Sequence, residues 1–482
     1  MKNVLWFLCK AFYTEILVCR IIRKGIKSKM ARRTFRGGVH PIGHKELTKD
    51  ADFELYLPKE EMVYPLNQHI GRPASPVVKK GDAVLAGQII AEASAFVSAN
   101  VVSSCSGKVK AVEKRRSIGG SMVDCIVIEN DGLFENAPGV GEKRDPSALT
   151  NEEILGKIKD AGIIGMGGAG FPTHVKLAPK NADAIRWVIA NGAECEPYIT
   201  CDDRLMRAKA EQILQGMDVM LRLFPNAEGV VVIEDNKPEA IAEMQKAAQK
   251  HDRIRIQPCP VKYPQGGERS CISVVAGIEY KITQLPADVG CVVENVGTIY
   301  AIYQAVCEST PLMERGVTIT GDAVTRPCNL MTRIGVSCNE LLTYAGGFKD
   351  GVQAAKMMAG GPMMGIAFDN LTVPVQKNNN ALTFLRTDEV VEAEKLQTNC
   401  IRCGRCNRVC PMGLTPQMMS AAFAKRDYDR YENKLHGLEC ISCGSCAFIC
   451  PAKRPLTQEF KVAKAEIMAI KREQQAKEGA KK

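Results

Sequence analysis

Two stretches of this 482-residue chain place side chains at spacings that suit chemistry. The first is Gly165-Met-Gly-Gly-Ala-Gly-Phe-Pro-Thr-His-Val-Lys176. With Gly165, Gly167, Gly168 and Gly170 so close together, backbone N–H groups can approach a phosphate, because no Cβ stands in the way. Lys176 supplies a point charge for the same anion. A nucleotide or flavin phosphate is the chemistry this suggests, and a flexible surface loop is the alternative. The second stretch is a repeat. Cys400-x-x-Cys403-x-x-Cys406-x-x-x-Cys410-Pro411 recurs as Cys440-x-x-Cys443-x-x-Cys446-x-x-x-Cys450-Pro451. Three thiolates of one loop can wrap a corner of an iron–sulfur cube, and in runs of this spacing the fourth cysteine ligates the other cluster. The spacing therefore assigns Cys400, Cys403, Cys406 and Cys450 to one [4Fe–4S] cluster, and Cys410, Cys440, Cys443 and Cys446 to a second. Zinc sites or disulfides also use clustered cysteines, but twin four-ligand runs each followed by proline fit them poorly.

The elements that must position these residues can be read from pattern. From Arg36 to about 130, short Val/Ile runs punctuated by Gly and Pro predict β structure. Asn151 is a candidate N-cap for a helix ending at Gly162. After the glycine loop come a strand (186–190), a helix (203–222), a strand (229–234), a helix (237–250) and a strand (253–256). This alternation predicts a parallel sheet with helices on its faces. Residues 165–170 spell Gly-x-Gly-x-x-Gly, but a helix precedes them, and Pro172 and Pro179 leave little room for a long helix after them. The strand–loop–helix context of a Rossmann fingerprint is missing. The sequence between the cysteine runs is helical in character (416–431), so the cysteines should sit in a helical domain.

Charge excludes some functions. The formal net charge of +10 is concentrated at the ends: residues 1–36 hold ten Lys and Arg against Glu15 alone, and residues 461–482 hold seven against three. The body between them is close to neutral, which argues against a nucleic-acid-binding surface. Residues 4–22 are apolar but broken by Lys10, Glu15 and Arg20. They suit a helix lying on a membrane surface better than one spanning it, unless Met30 is the start and they are an extension. Clustered cysteines at metal-ligand spacing point to a reducing setting. Neither a Ser/His/Asp set nor paired hydrolytic carboxylates are apparent, so no catalytic residue is assigned. His174, the one histidine in the glycine loop, reads as a loop residue.

Further stretches carry a resemblance. Asn191-Gly-Ala-Glu-Cys-Glu-Pro-Tyr198, Tyr263-Pro-Gln-Gly-Gly-Glu-Arg-Ser270 and Val293-Glu-Asn-Val-Gly-Thr298, taken with the glycine loop, resemble in the same order the FMN/NADH-binding segments of the 51-kDa flavoprotein subunit of respiratory complex I. From Thr34-Phe-Arg-Gly-Gly-Val-His-Pro41 to the cysteine repeats, the chain looks closer still to the RnfC family. Its members are the C subunits of the Rnf complex, an ion-translocating ferredoxin:NAD⁺ oxidoreductase. Pro76–Ile90 and Val101–Val112 resemble the two halves of a biotinyl/lipoyl-type barrel-sandwich, and the segment between them has no lysine to modify.

The resemblance implies a multidomain α/β protein. Its parts would be residues 1–29, an extension or membrane-surface helix; 30–130, a barrel-sandwich; 131–310, the FMN/NADH domain; and 311–375, an SLBB-like β-grasp module. A linker (376–395), a two-cluster ferredoxin domain (396–460) and a basic tail (461–482) would complete it. The resemblance implies FMN against Gly165, Gly167, Gly168, Gly170 and Lys176, with Asn191 and Glu194 at the isoalloxazine edge, Gly267 and Glu268 opposite, and Asn295 and Thr298 closing the pocket. Phe171 and Glu196 would contact NAD(H). Complex I has an Asp at Ala193 and a second Glu at Arg269. The implied function is electron transfer between NAD(H), FMN and two [4Fe–4S] clusters. The implied setting is the cytoplasmic face of a membrane, among other subunits of an ion-translocating complex, with ferredoxin an indirect partner. A flavo-iron–sulfur reductase with a soluble partner, similar to cobalamin reductase, and a non-catalytic wiring scaffold are the alternatives; Arg269 favours the latter.

Overall fold

The computed structural model describes residues 34–479; the proposed membrane-surface helix at 1–29 lies outside them. At its centre is a four-stranded parallel sheet in the order Ile254–Cys259, Glu228–Glu234, Trp187–Gly192, Cys291–Asn295. Both faces are covered, so the middles of the inner strands are apolar and alternate between two cores. Val188, Ala190, Val231, Ile233 and Val292 pack under helices Asn151–Asp160, Ala210–Leu223, Pro238–Ala248 and Val296–Cys307. Ile189, Val230, Val232 and Val293 pack against helix Glu268–Ala276 on the other face.

Local chemistry moves several boundaries. The first helix is capped by Thr150, not Asn151: Thr150 Oγ1 accepts from Glu153 N at 3.2 Å and Glu153 Oε2 accepts from Thr150 N at 2.7 Å, a reciprocal capping box. The helix expected over 203–222 is two helices, Cys201–Ala208 and Ala210–Leu223, parted at Lys209.

Two small antiparallel sheets form the barrel-sandwich: one of Met62–Pro65, Met122–Asn130, Gly107–Arg116 and Ala83–Val84, the other of Ser75–Pro76, Ile89–Glu92 and Val101–Val102. Its core is continuous with that of a six-stranded mixed sheet. Tyr64, Ile90, Val101 and Ile126 share one apolar cluster with Val317, Leu330, Leu382 and Phe384. The six-stranded sheet corrects the expected boundaries. Phe53–Tyr56 joins it from the N-terminal module, in parallel with Cys328–Arg333. Ala381–Leu385, inside the stretch expected to be a linker at 376–395, is an inner strand between Glu314–Thr320 and Lys356–Ala359. Four of its five residues are buried, which is the physical reason it cannot be a linker. Buried Lys377 pins the modules together through Nζ, donating to Asn100 O at 2.5 Å and Gly162 O at 2.7 Å.

The C-terminal unit is helical: Arg405–Val409, Pro416–Ala424, Ser445–Phe448 and Leu456–Gly479 around Met419, Tyr431 and Phe460. The last helix runs on through most of the residues expected to be a basic tail. No helix of the described residues is long and apolar enough to cross a membrane.

Candidate functional site: a cavity between a parallel sheet and two cysteine sets

The glycine loop is a tight excursion, not a strand-to-helix turn. Its ends are clamped: Gly165 N donates to Phe171 O at 2.8 Å, and Ile164 bridges Pro172. Gly167, at φ 76°, brings the loop so close to Asn295 that a Cβ would lie 3.2 Å from Asn295 Nδ2. The barrel-sandwich supports it from behind, with Ile70 N donating to Gly170 O at 3.0 Å.

The loop faces the carboxyl ends of the strands. The chain leaves Trp187–Gly192 toward one flank of the sheet and returns to the other flank in Cys291–Asn295, so the crevice opens where the strand order reverses. A cavity of about 690 Å³ lies there, within the range of nucleotide-sized ligand sites. Eight of the thirteen expected residues wall it: Gly167, Gly168, Asn191, Glu194, Glu196, Gly267, Glu268 and Asn295. The other five shape the wall from behind. Gly165, Gly170 and Phe171 close the loop, and Thr298 Oγ1 accepts from Met166 N at 2.9 Å. Lys176 is turned away from the cavity. Its ammonium lies 3.2 Å from Glu268 and 3.7 Å from Glu294, and it donates to Val293 O. Burial works against the Lys176 charge, yet Glu294 and Glu268 hold its pKa above the ordinary lysine value. Burial raises Glu294 in turn to about 7.

Three helices begin at the cavity, and two starts are already filled. Glu194, held at φ 47°, accepts from Asp202 N at 2.6 Å and Asp203 N at 3.3 Å. Asn295 Oδ1 accepts from Gly297 N at 2.8 Å. Only Glu268–Ala276 starts behind a glycine with no side chain to cap it, so its first N–H groups face the cavity free of a cap. Arg269 leans away over Tyr280, 3.9 Å from its ring, donating to Tyr280 O and Lys281 O. It secures a cavity wall, since Arg269 and Tyr280 both line it. His174 does not line the cavity, and burial lowers its pKa to about 4.

Glu196 binds the neighbouring modules. Its Oε2 accepts from Met363 N at 3.1 Å, and its Oε1 lies 3.3 Å from Tyr263 OH. Burial raises its pKa to about 7. Lys45 was not legible as a site residue, because it lies 149 residues from Glu194 and belongs to no motif. Its Nζ donates to the carbonyls of Glu194 (2.8 Å), Glu196 (3.1 Å) and Ile199 (2.6 Å), fixing the loop that carries both glutamates. Burial lowers the Lys45 pKa and raises that of Glu194. Asn378, Asn379 and Asn380 also line the cavity from the stretch expected to be a linker.

The far wall of the same cavity is built by Pro411, Met412, Gly413, Glu439 and Ile441 of the helical unit. Directly behind it, Cys410, Cys440, Cys443 and Cys446 line one small cavity. Cys400, Cys403, Cys406 and Cys450 line another of about 260 Å³, open toward solvent, with Cys400 and Cys403 exposed. Each cavity thus brings together the four thiols that the repeat spacing groups, and none of the described cysteines is paired in a disulfide. Four thiolates around one cavity are the donor set of a [4Fe–4S] cluster. Backbone N–H groups of Leu414 and Ser442 already donate to Cys410 and Cys440 Sγ, each at 3.4 Å.

Comparison with known proteins agrees with this architecture. Residues 33–133 match the RnfC barrel sandwich hybrid domain, 158–304 the Nuo51 FMN-binding domain, 317–367 the SLBB domain and 393–451 the 4Fe-4S dicluster domain. The chain is 43% identical over 445 residues to the C subunit of the proton-translocating ferredoxin:NAD(+) oxidoreductase complex of Clostridium ljungdahlii, covering 92% of this chain and 96% of that one. It is 40% identical to the C subunit of the Na(+)-translocating ferredoxin:NAD(+) oxidoreductase complex of Acetobacterium woodii, covering 91% and 98%. It is 41% identical to the C subunit of the ion-translocating oxidoreductase complex of Rhodobacter capsulatus, covering 90% and 83%. A cavity at a sheet switch point, two four-cysteine sets behind it and relatives of this identity along nearly the whole chain lead to one assignment: the chain belongs to the RnfC family, the C subunits of the Rnf-type, ion-translocating ferredoxin:NAD⁺ oxidoreductase complexes.

Proposed function

We infer that this protein exchanges electrons between NAD(H), FMN and two [4Fe–4S] clusters, and does so within a membrane-associated ferredoxin:NAD⁺ oxidoreductase complex coupled to ion transport. The observation that carries the reading is the shared cavity. One wall is the glycine loop and the strand ends; the opposite wall is the loop that holds Cys410 and Cys440–Cys446. Flavin accepts the two electrons of a hydride together and releases them singly, which an iron–sulfur cluster requires. The residues present fit it: an uncapped helix start and exposed glycine N–H groups for a phosphate, with Asn191 and Glu194 beside them for the polar edge of a ring. Cys410, Cys440, Cys443 and Cys446 would hold the cluster next to the flavin, and Cys400, Cys403, Cys406 and Cys450 the outer one. The chain's own part is to fix these distances and exclude water. Unpaired cysteines favour a reducing compartment, so the cytoplasmic face of the membrane is the setting proposed.

The test is to purify the protein anaerobically and measure FMN, iron and acid-labile sulfide. One FMN and about eight irons per chain are expected from two cubane clusters, with both chromophores bleaching on NADH addition. Bound flavin that NADH cannot bleach would contradict the reading.

A further inference from the structure

The proposed function requires the cavity to receive phosphate, on the flavin, on the dinucleotide or on both. The cavity is poorly charged for that. Its walls carry the carboxyl groups of Glu194, Glu196, Asp202, Glu268, Glu279 and Glu439, against two cations, Arg36 and Arg269. Arg269 is spent on Tyr280 and Lys281, and Lys176 on Glu268 and Glu294. Arg36 is exposed and has no hydrogen-bond or ion-pair partner among the described residues.

Arg36 is also firmly placed. It belongs to Thr34-Phe-Arg-Gly-Gly-Val-His40, a strap between the flavin-type domain and the helical unit. On one side Lys262 Nζ donates to Phe35 O at 2.6 Å and sits 4.4 Å from the Phe35 ring. On the other, Gly38 N donates to Val409 O at 2.8 Å, and Val39 exchanges two backbone hydrogen bonds with Tyr263, at 2.8 and 2.9 Å. The guanidinium lies against Gly413 at the cavity wall. A backbone hydrogen-bonded on both sides that carries an unpaired guanidinium to the wall of an acid-lined nucleotide cavity suits a phosphate, whose oxygens match its planar fork of donors.

We propose that Arg36 is a ligand-binding residue that recognises a phosphate group of the bound nucleotide. The proposal rests on the nucleotide-binding reading of this cavity and adds the cation that reading otherwise lacks.

Two ligand pairs that differ in phosphate test it, on the full-length protein carrying both clusters. FMN is compared with riboflavin as a ligand of the deflavinated protein, and reduced nicotinamide mononucleotide with dihydronicotinamide riboside as a reductant of the flavin-loaded protein. Arg36→Gln should weaken the phosphate-bearing member of at least one pair by about tenfold or more, the usual weight of a charged hydrogen bond. Its phosphate-free partner should be unchanged, and Arg36→Lys should recover part of the loss. A loss confined to FMN assigns the flavin phosphate; one confined to reduced nicotinamide mononucleotide assigns the phosphate on the nicotinamide side of the dinucleotide. Equal loss of both members of each pair would make Arg36 a support of the strap and overturn the proposal. So would unchanged binding of all four, or a shifted cluster potential with phosphate discrimination intact. A wild-type protein that binds neither FMN nor NADH would instead overturn the function itself.

Discussion

Tyr263 donates its hydroxyl to the backbone carbonyl of Cys443 at 2.7 Å. The ring belongs to the flavin-type domain and the carbonyl to a cysteine of the inner set. The same hydroxyl reaches Glu196 Oε1 at 3.3 Å, and Val39, Tyr263 and Cys443 form one buried apolar cluster with Cys195 and Met363 at its edge. The two halves of the electron path are therefore locked together by contacts at the cavity itself.

Tyr263→Phe removes that hydroxyl and leaves the ring packing. A single hydrogen bond contributes about 1 kcal/mol net, so the protein should fold and keep FMN and iron. In stopped-flow mixing with NADH, flavin reduction should stay at the wild-type rate while cluster bleaching slows. Equal slowing of both phases would place Tyr263 in the nicotinamide site instead.

Glu196 should impose a pH dependence on stability. Its pKa is raised to about 7 in the folded protein, from about 4.3 in an unfolded chain. Between these values the folded state holds a proton that the unfolded state lacks, so stability falls as pH rises through this window. Glu196→Gln does not titrate. Its melting temperature relative to wild type should be more favourable at pH 8 than at pH 5. The same difference at both pH values would show that Glu196 does not titrate in this window.

Lys176→Met should act through charge, not through phosphate. It leaves Glu294, with a side chain only 1% exposed, without its cation. Stranding a buried partner costs about 3 kcal/mol or more. Adding Glu294→Gln to the same chain should recover much of the loss in urea unfolding. No rescue would mean that the lysine has another role.

Gly37→Ala should loosen the inner cluster. Gly37 sits at φ 70°, and a Cβ there would lie 2.7 Å from the carbonyl oxygens of both Val409 and Cys410. Neither backbone oxygen can swing away as a side chain would. The variant should lose about half its iron to a chelator faster than wild type, the other half at the wild-type rate. Unchanged iron release would show that the strap does not brace Cys410.

Local chemistry was legible in the sequence, and long-range pairing was not. The cysteine repeats declared their grouping because ligand spacing within a loop is a local constraint, and the structure brings the same fours around common cavities. The motif segments likewise led to eight wall residues. Lys176 read as a phosphate cation because nothing in its neighbourhood announces Glu294, which folding brings to it from a distant strand. Ala381–Leu385 looked like linker behind three asparagines, since five residues are too few to show a period. The break at Lys209 has neither Gly nor Pro to mark it, and Lys45 and Arg36 reach the site only through tertiary packing.

The order of the path can be read directly from Cys403→Ser. The serine removes a ligand of the outer set and leaves the cavity and the inner set intact. Mixed anaerobically with NADH in a stopped-flow spectrometer, the variant should reduce its flavin and then its one remaining cluster at wild-type rates. A variant whose flavin is reduced but whose remaining cluster stays oxidised would contradict the direct route from the flavin cavity to Cys410, Cys440, Cys443 and Cys446.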